Sequence, residues 1–337
     1  MKNKLVIFGI VLLGGTAAYL YFGEEKGTLK KDLMDFAVED TASIDKIFLA
    51  NKAGSAITLE RKASGGWTVN KKYKARWDLI NVLLSTIKMV EVQSPISRNA
   101  RDNIISRLSA GAVKVEIYQG GSDPVKVYYV GGSTQNDFGT YMLLEGSTEP
   151  YIMHVSYFHG YLTTRYNTKI IEWRDKTVMN YEFKDIASIK IEYPQKKGMS
   201  FEIKNTGNWK YELWDLTNDK IVPEYDTTNL TVYLTSFKNI QFEGFLNNYT
   251  MDERDSILLT PPLQIMECKD LSGNSTKVTT YLKKADDEMY DGEGKRILYD
   301  PDRLFAEVND NGELVTVQYF VFGPLFLELE NFNIRSE

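Results

Sequence analysis

This sequence contains little cysteine and histidine, and it has no surplus of positive charge. The 337 residues include one cysteine, Cys268, so no disulfide can form within the chain. We expect Cys268 to be a small buried apolar residue of a strand. The formal net charge is −6 at pH 7, whereas a protein that binds the phosphate backbone carries a basic surplus. Neither a disulfide scaffold nor a nucleic-acid-binding protein is therefore indicated.

Catalytic motifs are equally scarce. The sequence has no G-x-S-x-G nucleophile elbow, no Walker loop and no dinucleotide-binding glycine fingerprint. Its two histidines, His154 and His159, lie in an aromatic-rich stretch. Val155 follows the first of them, where a zinc protease of the H-E-x-x-H type has glutamate. We therefore expect no enzyme activity, no metal site and no cofactor.

An uncharged segment lies near the start of the chain. Leu5–Phe22 has eighteen residues without a charge, close to the length of a membrane-spanning helix. We predict an uncleaved transmembrane anchor, with a cleaved signal peptide as the alternative. The short basic tail, residues 1–4, would stay in the cytoplasm and place the rest in the periplasm. Gly9, Leu13 and Ala17 fall four residues apart and form a candidate interface with a partner helix in the bilayer.

A pattern of two strands, a tryptophan and a helix occurs twice. Trp67 precedes the first helix and Trp209 the second, and apolar residues follow at helical spacing. The pattern predicts an α+β fold with two tandem copies of an antiparallel sheet covered by a helix. In the first helix the buried stripe is expected at Leu79, Val82, Leu83, Thr86, Ile87 and Val90. The matched packing positions are expected to be Ile44 with Ile189, Trp67 with Trp209, and Leu83 with Leu234.

The predicted domain division follows from these patterns. It comprises a cytoplasmic tail (1–4), a transmembrane anchor (5–22), a stalk (23–35), a first β-rich repeat domain (36–165), a joint (166–185) and a second β-rich repeat domain (186–337). Four residues are candidate structural anchors: Trp67, Trp209, Trp173 and Arg174. Each of the first two is expected to seal a sheet edge against its helix, with stacking on a ligand as the alternative. Trp173 would pack both copies, and Arg174 would pair with a carboxylate.

Two charged segments form a candidate interaction surface. The basic segment precedes the first predicted helix and contains Lys71, Lys72, Lys74 and Arg76. The acidic segment lies in a late loop and contains Asp286, Asp287, Glu288 and Asp291. For each segment the alternative is a solvated turn or loop without a partner. A third local string, Asn136–Tyr141, predicts a turn in which Asp137 bonds its own backbone and Gly139 permits a positive φ.

Several strings resemble one bacterial family catalogued as a domain of unknown function. They are Asp-Phe-Ala-Val-Glu-Asp-Thr-Ala-Ser-Ile-Asp-Lys-Ile at 35–47, Gly66-Trp67-Thr-Val-Asn70, Gly139-Thr-Tyr-Met142 and Trp173-Arg-Asp175. The resemblance implies one N-terminal membrane segment and a duplicated extracytoplasmic body. It also implies a place beside auxiliary subunits of gliding-type ABC transporters. It implies no catalytic residue.

The leading functional hypothesis is a non-enzymatic, membrane-anchored scaffold or adaptor subunit of a cell-envelope assembly serving transport, secretion or gliding. Its expected location is the bacterial inner membrane, with a single span and a periplasmic body. Its expected partners are other membrane or periplasmic envelope proteins, and the lipid bilayer through residues 5–22. The alternative is a periplasmic module that binds a glycan, peptide or lipid for an ABC-type transporter. A third hypothesis is an enzyme that uses the acidic loop with a metal.

Overall fold

The computed structural model describes residues 34–285 and 288–334. The chain divides into two compact units, with the boundary between Asp175 and Lys176. The predicted tail, the predicted span with Gly9, Leu13 and Ala17, and most of the stalk lie outside the described residues.

The first unit is one antiparallel sheet with helices on its faces. Its strands are β1 (Lys46–Asn51), β2 (Ala56–Arg61), β3 (Trp67–Val69), β4 (Tyr73–Lys74), β5 (Val90–Pro95), β6 (Val113–Tyr118), β7 (Lys126–Ser133), β8 (Thr140–Leu144) and β9 (Tyr151–Val155). Their order across the sheet is β4-β3-β2-β1-β6-β7-β8-β9-β5. Its helices are α1 (Trp77–Met89), α2 (Arg98–Gly111) and the single turn α3 (Ile170–Trp173).

The second unit is built on a sheet of the same strand order. Its strands are β11 (Ile186–Glu192), β12 (Phe201–Gly207), β13 (Lys210–Asp215), β14 (Lys220–Ile221), β16 (Gly244–Phe245), β17 (Gln264–Asp270), β18 (Ser275–Lys284), β19 (Tyr299–Val308) and β20 (Leu314–Gln318), in the order β14-β13-β12-β11-β17-β18-β19-β20-β16. A separate pair joins β10 (Thr177–Met179) to β15 (Ile240–Gln241). The helices are α4 (Thr227–Thr235), α5 (Met251–Leu258) and α6 (Tyr319–Phe322).

Strand dominates the described chain, which corrects the predicted fold class. Two nine-stranded antiparallel sheets account for most of the structure, so the prediction of α+β units behind a transmembrane helix is wrong. The helices are short additions to wide sheets, because most apolar residues alternate at the two-residue period of a strand. In β1, for example, Ile47 and Leu49 are buried, while Lys46 and Phe48 face the other side.

No helix in the described part of the chain is long and apolar enough to cross a membrane. This finding corrects the prediction of a single-pass inner-membrane protein with a periplasmic body.

The strand registers show which residues of the two sheets correspond. Ile47 faces Leu59 in the first sheet, and Ile189 faces Ile203 at the same place in the second. The predicted match of Ile44 with Ile189 is therefore three residues too early, and Ile47 is the residue that corresponds. Sequence alignment of the short Ala-Ser-Ile strings gave the wrong partner because it ignored the pairing strand.

Helices α1 and α4 bury residues at the same distances from their first turns. Ile80 and Leu83 lie four and seven residues after the N-cap Arg76. Leu230 and Tyr233 lie four and seven residues after the N-cap Asp226. Leu83 therefore corresponds to Tyr233, and the predicted match of Leu83 with Leu234 is one residue late.

The buried stripe of α1 also differs from the prediction. Its buried residues are Ile80, Leu83, Thr86 and Ile87, whereas Val82 is 43% exposed. Ile80 had no place in the predicted stripe, which began at Leu79. Both stripes fit helical spacing, and the strands beneath decide which one faces the core.

The α1 stripe can be tested by two truncations. Leu83→Ala should lower the free energy of unfolding by about 2–5 kcal/mol, because it opens a cavity in a close-packed core. Val82→Ala, one residue away and exposed, should change it by less than about 1 kcal/mol. Urea denaturation of the full chain measures both. Equal effects of the two substitutions would contradict the assigned stripe.

The single cysteine provides a second test, in the second unit. Cys268 lies in β17 and is fully buried, and burial raises the pKa of its thiol to about 12. Little thiolate then exists at pH 8, and reagents cannot reach it. A disulfide reagent should therefore label the native chain at least about a hundredfold more slowly than the denatured chain. Rapid labelling of the native protein would show that β17 is accessible.

Candidate functional site

The predicted anchors of the first unit lie in its interior. Trp67 and Trp173 are each 2% exposed. The Trp173 indole N–H donates to the carbonyl oxygen of Asn167 at 2.7 Å. The Arg174 guanidinium lies 3.9 Å from the centre of the Tyr73 ring, a cation–π contact. Trp173 is part of the first unit's core.

Trp209 does not occupy the position predicted for it. Val69 pairs in register in the first sheet as Leu213 does in the second. Trp67 precedes Val69 by two residues, and Tyr211 precedes Leu213 by two, so Tyr211 corresponds to Trp67. Trp209 lies instead in the turn before β13, 64% exposed. The tight turn of the second hairpin shifts the tryptophan out of the ladder and onto the surface.

The predicted basic segment is partly neutralised by its neighbours. Lys74 Nζ lies 2.5 Å from an oxygen of Asp175. Arg76 lies 2.5 Å from Asp78, and this contact lowers the pKa of the Asp78 carboxyl. Lys71 is 3.7 Å from Glu60, and Lys72 lies over the Tyr73 ring at 5.0 Å. Exposed pairs contribute little to stability. Their effect here is to divide the four cations among separate partners.

The predicted acidic segment forms a turn. Asp286 and Asp287 lie outside the described residues, and Glu288 and Asp291 are exposed. An Asp291 oxygen accepts the backbone N–H groups of Glu293 and Lys295 at 3.0 and 2.8 Å. This carboxylate therefore stabilises its own loop. Within 34–285 and 288–334, no group of three or more acidic, histidine or cysteine side chains could hold a metal ion.

An exposed group of aromatic side chains lies at one end of the first sheet. We call it the aromatic surface, and it consists of Phe138, Tyr157, Phe158, His159 and Tyr161. Tyr157 is fully exposed at 104%, and Phe138 is 52% exposed. The Phe138 and His159 rings meet edge to face with their centres 6.4 Å apart. Two loops, one after β7 and one after β9, therefore contribute to a single surface.

Backbone and hydroxyl hydrogen bonds hold the loop after β9. Tyr157 has a φ of +66°, and Phe158 N–H closes the turn by donating to the Val155 carbonyl at 3.1 Å. Leu162 N–H donates to the buried Thr140 hydroxyl at 2.6 Å. The Thr163 hydroxyl donates to the Gly131 carbonyl at 2.7 Å. Positive φ is costly for a tyrosine and persists where the surroundings hold it.

A half-buried cation supports the loop from below. The Arg165 guanidinium lies 3.9 Å from the centre of the Phe158 ring. It also donates to the Thr86 hydroxyl of α1 at 2.7 Å. Burial lowers the pKa of Arg165, although an arginine keeps its charge at neutral pH. Arg165 thereby couples Phe158 to the core helix and restricts the loop.

The loop after β7 is a tight polar turn. The side-chain oxygen of Asn136 accepts the Phe138 N–H at 3.2 Å, and Asp137 has a φ of +59°. The expected roles were Asp137 as the hydrogen-bonding residue and Gly139 as the positive-φ residue. Gly139 is required for space instead. A Cβ there would lie 2.4 Å from Ile152 Cγ2.

The aromatic surface can bind by contact. Tyrosine and arginine are enriched among the residues that contribute most to protein interfaces. A rigid loop also loses less entropy on binding than a mobile one. From the sequence, the two histidines of this aromatic-rich stretch pointed only to a zinc site. The sequence signal for a binding surface was the run Tyr157–Tyr161, whose aromatic residues follow neither the period of a strand nor that of a helix.

A family profile described as a domain of unknown function (DUF4340) matches residues 67–262. A comparison with curated proteins gave no match, and a comparison with solved structures gave none either.

The packing of the turn after β7 can be tested with two glycine substitutions. Gly139→Ala should destabilise the chain by about 1–3 kcal/mol, because its Cβ would overlap Ile152. Gly132→Ala is the matched control, since its Cβ would approach only an Arg107 nitrogen at 4.0 Å. Thermal unfolding of both variants measures the difference. A neutral Gly139→Ala would show that this turn is loosely packed.

Proposed function

The chain belongs to the DUF4340 family of domains of unknown function, and we propose that it is a non-enzymatic scaffold that docks a protein partner on the aromatic surface of its first unit. The observation that carries the proposal is Tyr157, fully exposed yet held at a positive φ. An aromatic side chain kept in water by a costly backbone conformation gains free energy when a partner covers it.

The neighbouring side chains support a docking role. Phe138 and Phe158 lie on the same surface, and Arg165 lies beneath it. This arrangement combines exposed apolar rings with nearby polar groups, as many protein interfaces do. His154 and Glu91, 3.2 Å apart on β9 and β5, contribute a polar edge.

The first partners to test are subunits of gliding-type ABC transporters. The sequence strings that resemble the family also resemble domains found beside those subunits. Among the described residues no group of three or more carboxylates, histidines or cysteines could hold a metal ion. Exposed aromatic side chains on a restricted loop are typical of residues that a protein partner covers.

The docking role can be tested in the native host. The double variant Phe138→Ala, Tyr157→Ala removes the two most exposed carbocyclic rings of the loops after β7 and β9. We expect reversible crosslinking and affinity purification of the full chain to recover at least one partner about tenfold less with this variant. Quantitative mass spectrometry measures the recovery. Thermal unfolding checks that the double variant remains folded.

Phe320→Ala is the control for exposed aromatic area. Phe320 is 91% exposed and lies in α6 of the second unit. Its removal should leave partner recovery unchanged. If the double variant and the wild-type chain recover the same proteins in the same amounts, the aromatic surface is not a docking site.

A further inference from the structure

A cavity lies on the outer face of the first sheet, beside the last turn of α2. Its volume is about 460 Å³, which is within the range of small-molecule sites. It shares no residue with the aromatic surface, so its role does not depend on the docking proposal.

One row of cross-strand neighbours forms the floor of the cavity. Ala50 of β1 faces Lys114 of β6, and Lys114 faces Tyr129 of β7. Tyr129 in turn faces Leu143 of β8, and all four residues line the cavity. Because neighbouring strands lie about 4.8 Å apart, the row is about 14 Å long. The floor is therefore long enough for an extended chain.

Helix α2 supplies an apolar side wall. Leu108 and the C-cap residue Ala112 are each 5% exposed, and both line the cavity. They belong with Tyr129 and Leu143 to the small apolar cluster between α2 and the sheet. Ala50 and Ala112 leave space that larger side chains would fill. Most of the surface that a ligand would contact is therefore aliphatic.

Three polar side chains of the wall are already paired within the protein. The Asn51 amide is hydrogen-bonded at both ends, to a hydroxyl at 2.9 Å and to a backbone N–H at 3.0 Å. Lys114 Nζ lies 2.8 Å from Glu116. The Tyr129 hydroxyl bonds to the Glu145 carboxylate, which raises the pKa of Tyr129. These groups offer little to a polar ligand, so the interior of the cavity favours an apolar one.

Lys52 is a cation that remains available to a ligand. It lies exposed in the turn after β1 and lines the cavity at the Ala50 end of the floor. Within residues 34–285 and 288–334, no carboxylate pairs with Lys52. The described lining also contains no acidic side chain. An acidic group at this end would gain a charge-assisted hydrogen bond.

The second unit has a cavity of similar size with a different lining. It lies beside α5, which follows β16 as α2 follows β5, and its volume is about 440 Å³. Its wall includes the carboxylate of Glu253 and the hydroxyls of Ser256 and Thr260. Lys283 in this wall pairs with Asp300 at 2.7 Å. The more polar cavity provides a control within the same chain.

We propose that the cavity beside α2 binds a single-chain amphiphile, an unbranched aliphatic chain that ends in an acidic group. The chain lies along the row from Ala50 to Leu143 and packs against Leu108 and Ala112. The acidic group interacts with Lys52, which fixes the direction of the chain.

Isothermal titration calorimetry of the full chain with decanoate tests the proposal, at concentrations well below those at which decanoate forms micelles. Octanoate, two methylenes shorter, should bind about tenfold more weakly, because it buries less apolar surface. Decanol keeps the chain and lacks the charge, so it should bind about threefold more weakly than decanoate.

Two variants fill the cavity, Ala112→Leu from the helix and Ala50→Leu from the strand. Each should weaken decanoate binding at least about tenfold while the Tm of the free protein holds or rises, because a filled cavity adds apolar contacts. Ser256→Leu is the matched control, since it fills space beside α5 in the second unit. That variant should bind decanoate as the wild-type chain does.

Lys52→Ala tests the position of the acidic group. It should remove the preference for decanoate over decanol and leave the affinity for decanol unchanged. Lys62→Ala removes an exposed lysine of the next turn, outside this cavity, and should keep the preference.

Three results would overturn the proposal. They are an absence of heat with decanoate at two temperatures, unchanged affinity in both cavity-filling variants, and a preference over decanol that persists in Lys52→Ala. Binding to vesicles of an anionic phospholipid without binding of monomeric decanoate would also overturn it, because the surface would then recognise a bilayer.

Discussion

The register of the central strands is the constraint on which each unit depends. Ile47 in β1 faces Leu59 on one side and Ile117 on the other, and all three are buried. A slip of one residue would turn β1 over and expose Ile47 and Leu49, at a cost of several kcal/mol. Because helix α1 packs on the face that this register buries, the helix and the strands can adopt only one mutual arrangement.

The same register places charged residues on the opposite face. Lys114 and Glu116 alternate with buried residues of β6, and their side chains pair at 2.8 Å. In the second sheet, Lys204 and Glu202 of β12 pair in the same way at 3.2 Å. These charged pairs keep part of the outer face of each wide sheet compatible with water. In the first unit, α2 covers another part of that face through Leu108. Alternating charge also discourages nonspecific pairing of sheets.

Much of the fold could be predicted from local patterns, and the errors have a common cause. The alternation in β1 and β2 and the spacing in α1 are properties of the residues themselves. The predicted match of Trp67 with Trp209 was wrong because strand pairing decides which residues of the two sheets correspond. The hairpin turns before β3 and β13 differ in length, so the two tryptophans fall at different positions. Val82 was misplaced for a similar reason, since helical spacing alone does not identify the stripe that a distant sheet will cover.

The candidate sites were harder to predict because each joins segments distant in sequence. Phe138 and His159 meet only when β7, β8 and β9 pair and bring their loops to one end of the sheet.

The surroundings of Trp67 likewise depend on residues 173–175, which pair beside β4. The Trp67 indole N–H is unpaired among the described residues. That state is invisible in a sequence, because hydrogen bonding depends on neighbours that folding supplies. The contrast with Tyr211 shows that the two units share a ladder while differing in where a polar group is satisfied. A repeated fold preserves packing because the core constrains it, and it leaves polar groups at the ends of strands free to diverge. Differences in function between the units are therefore expected at those ends.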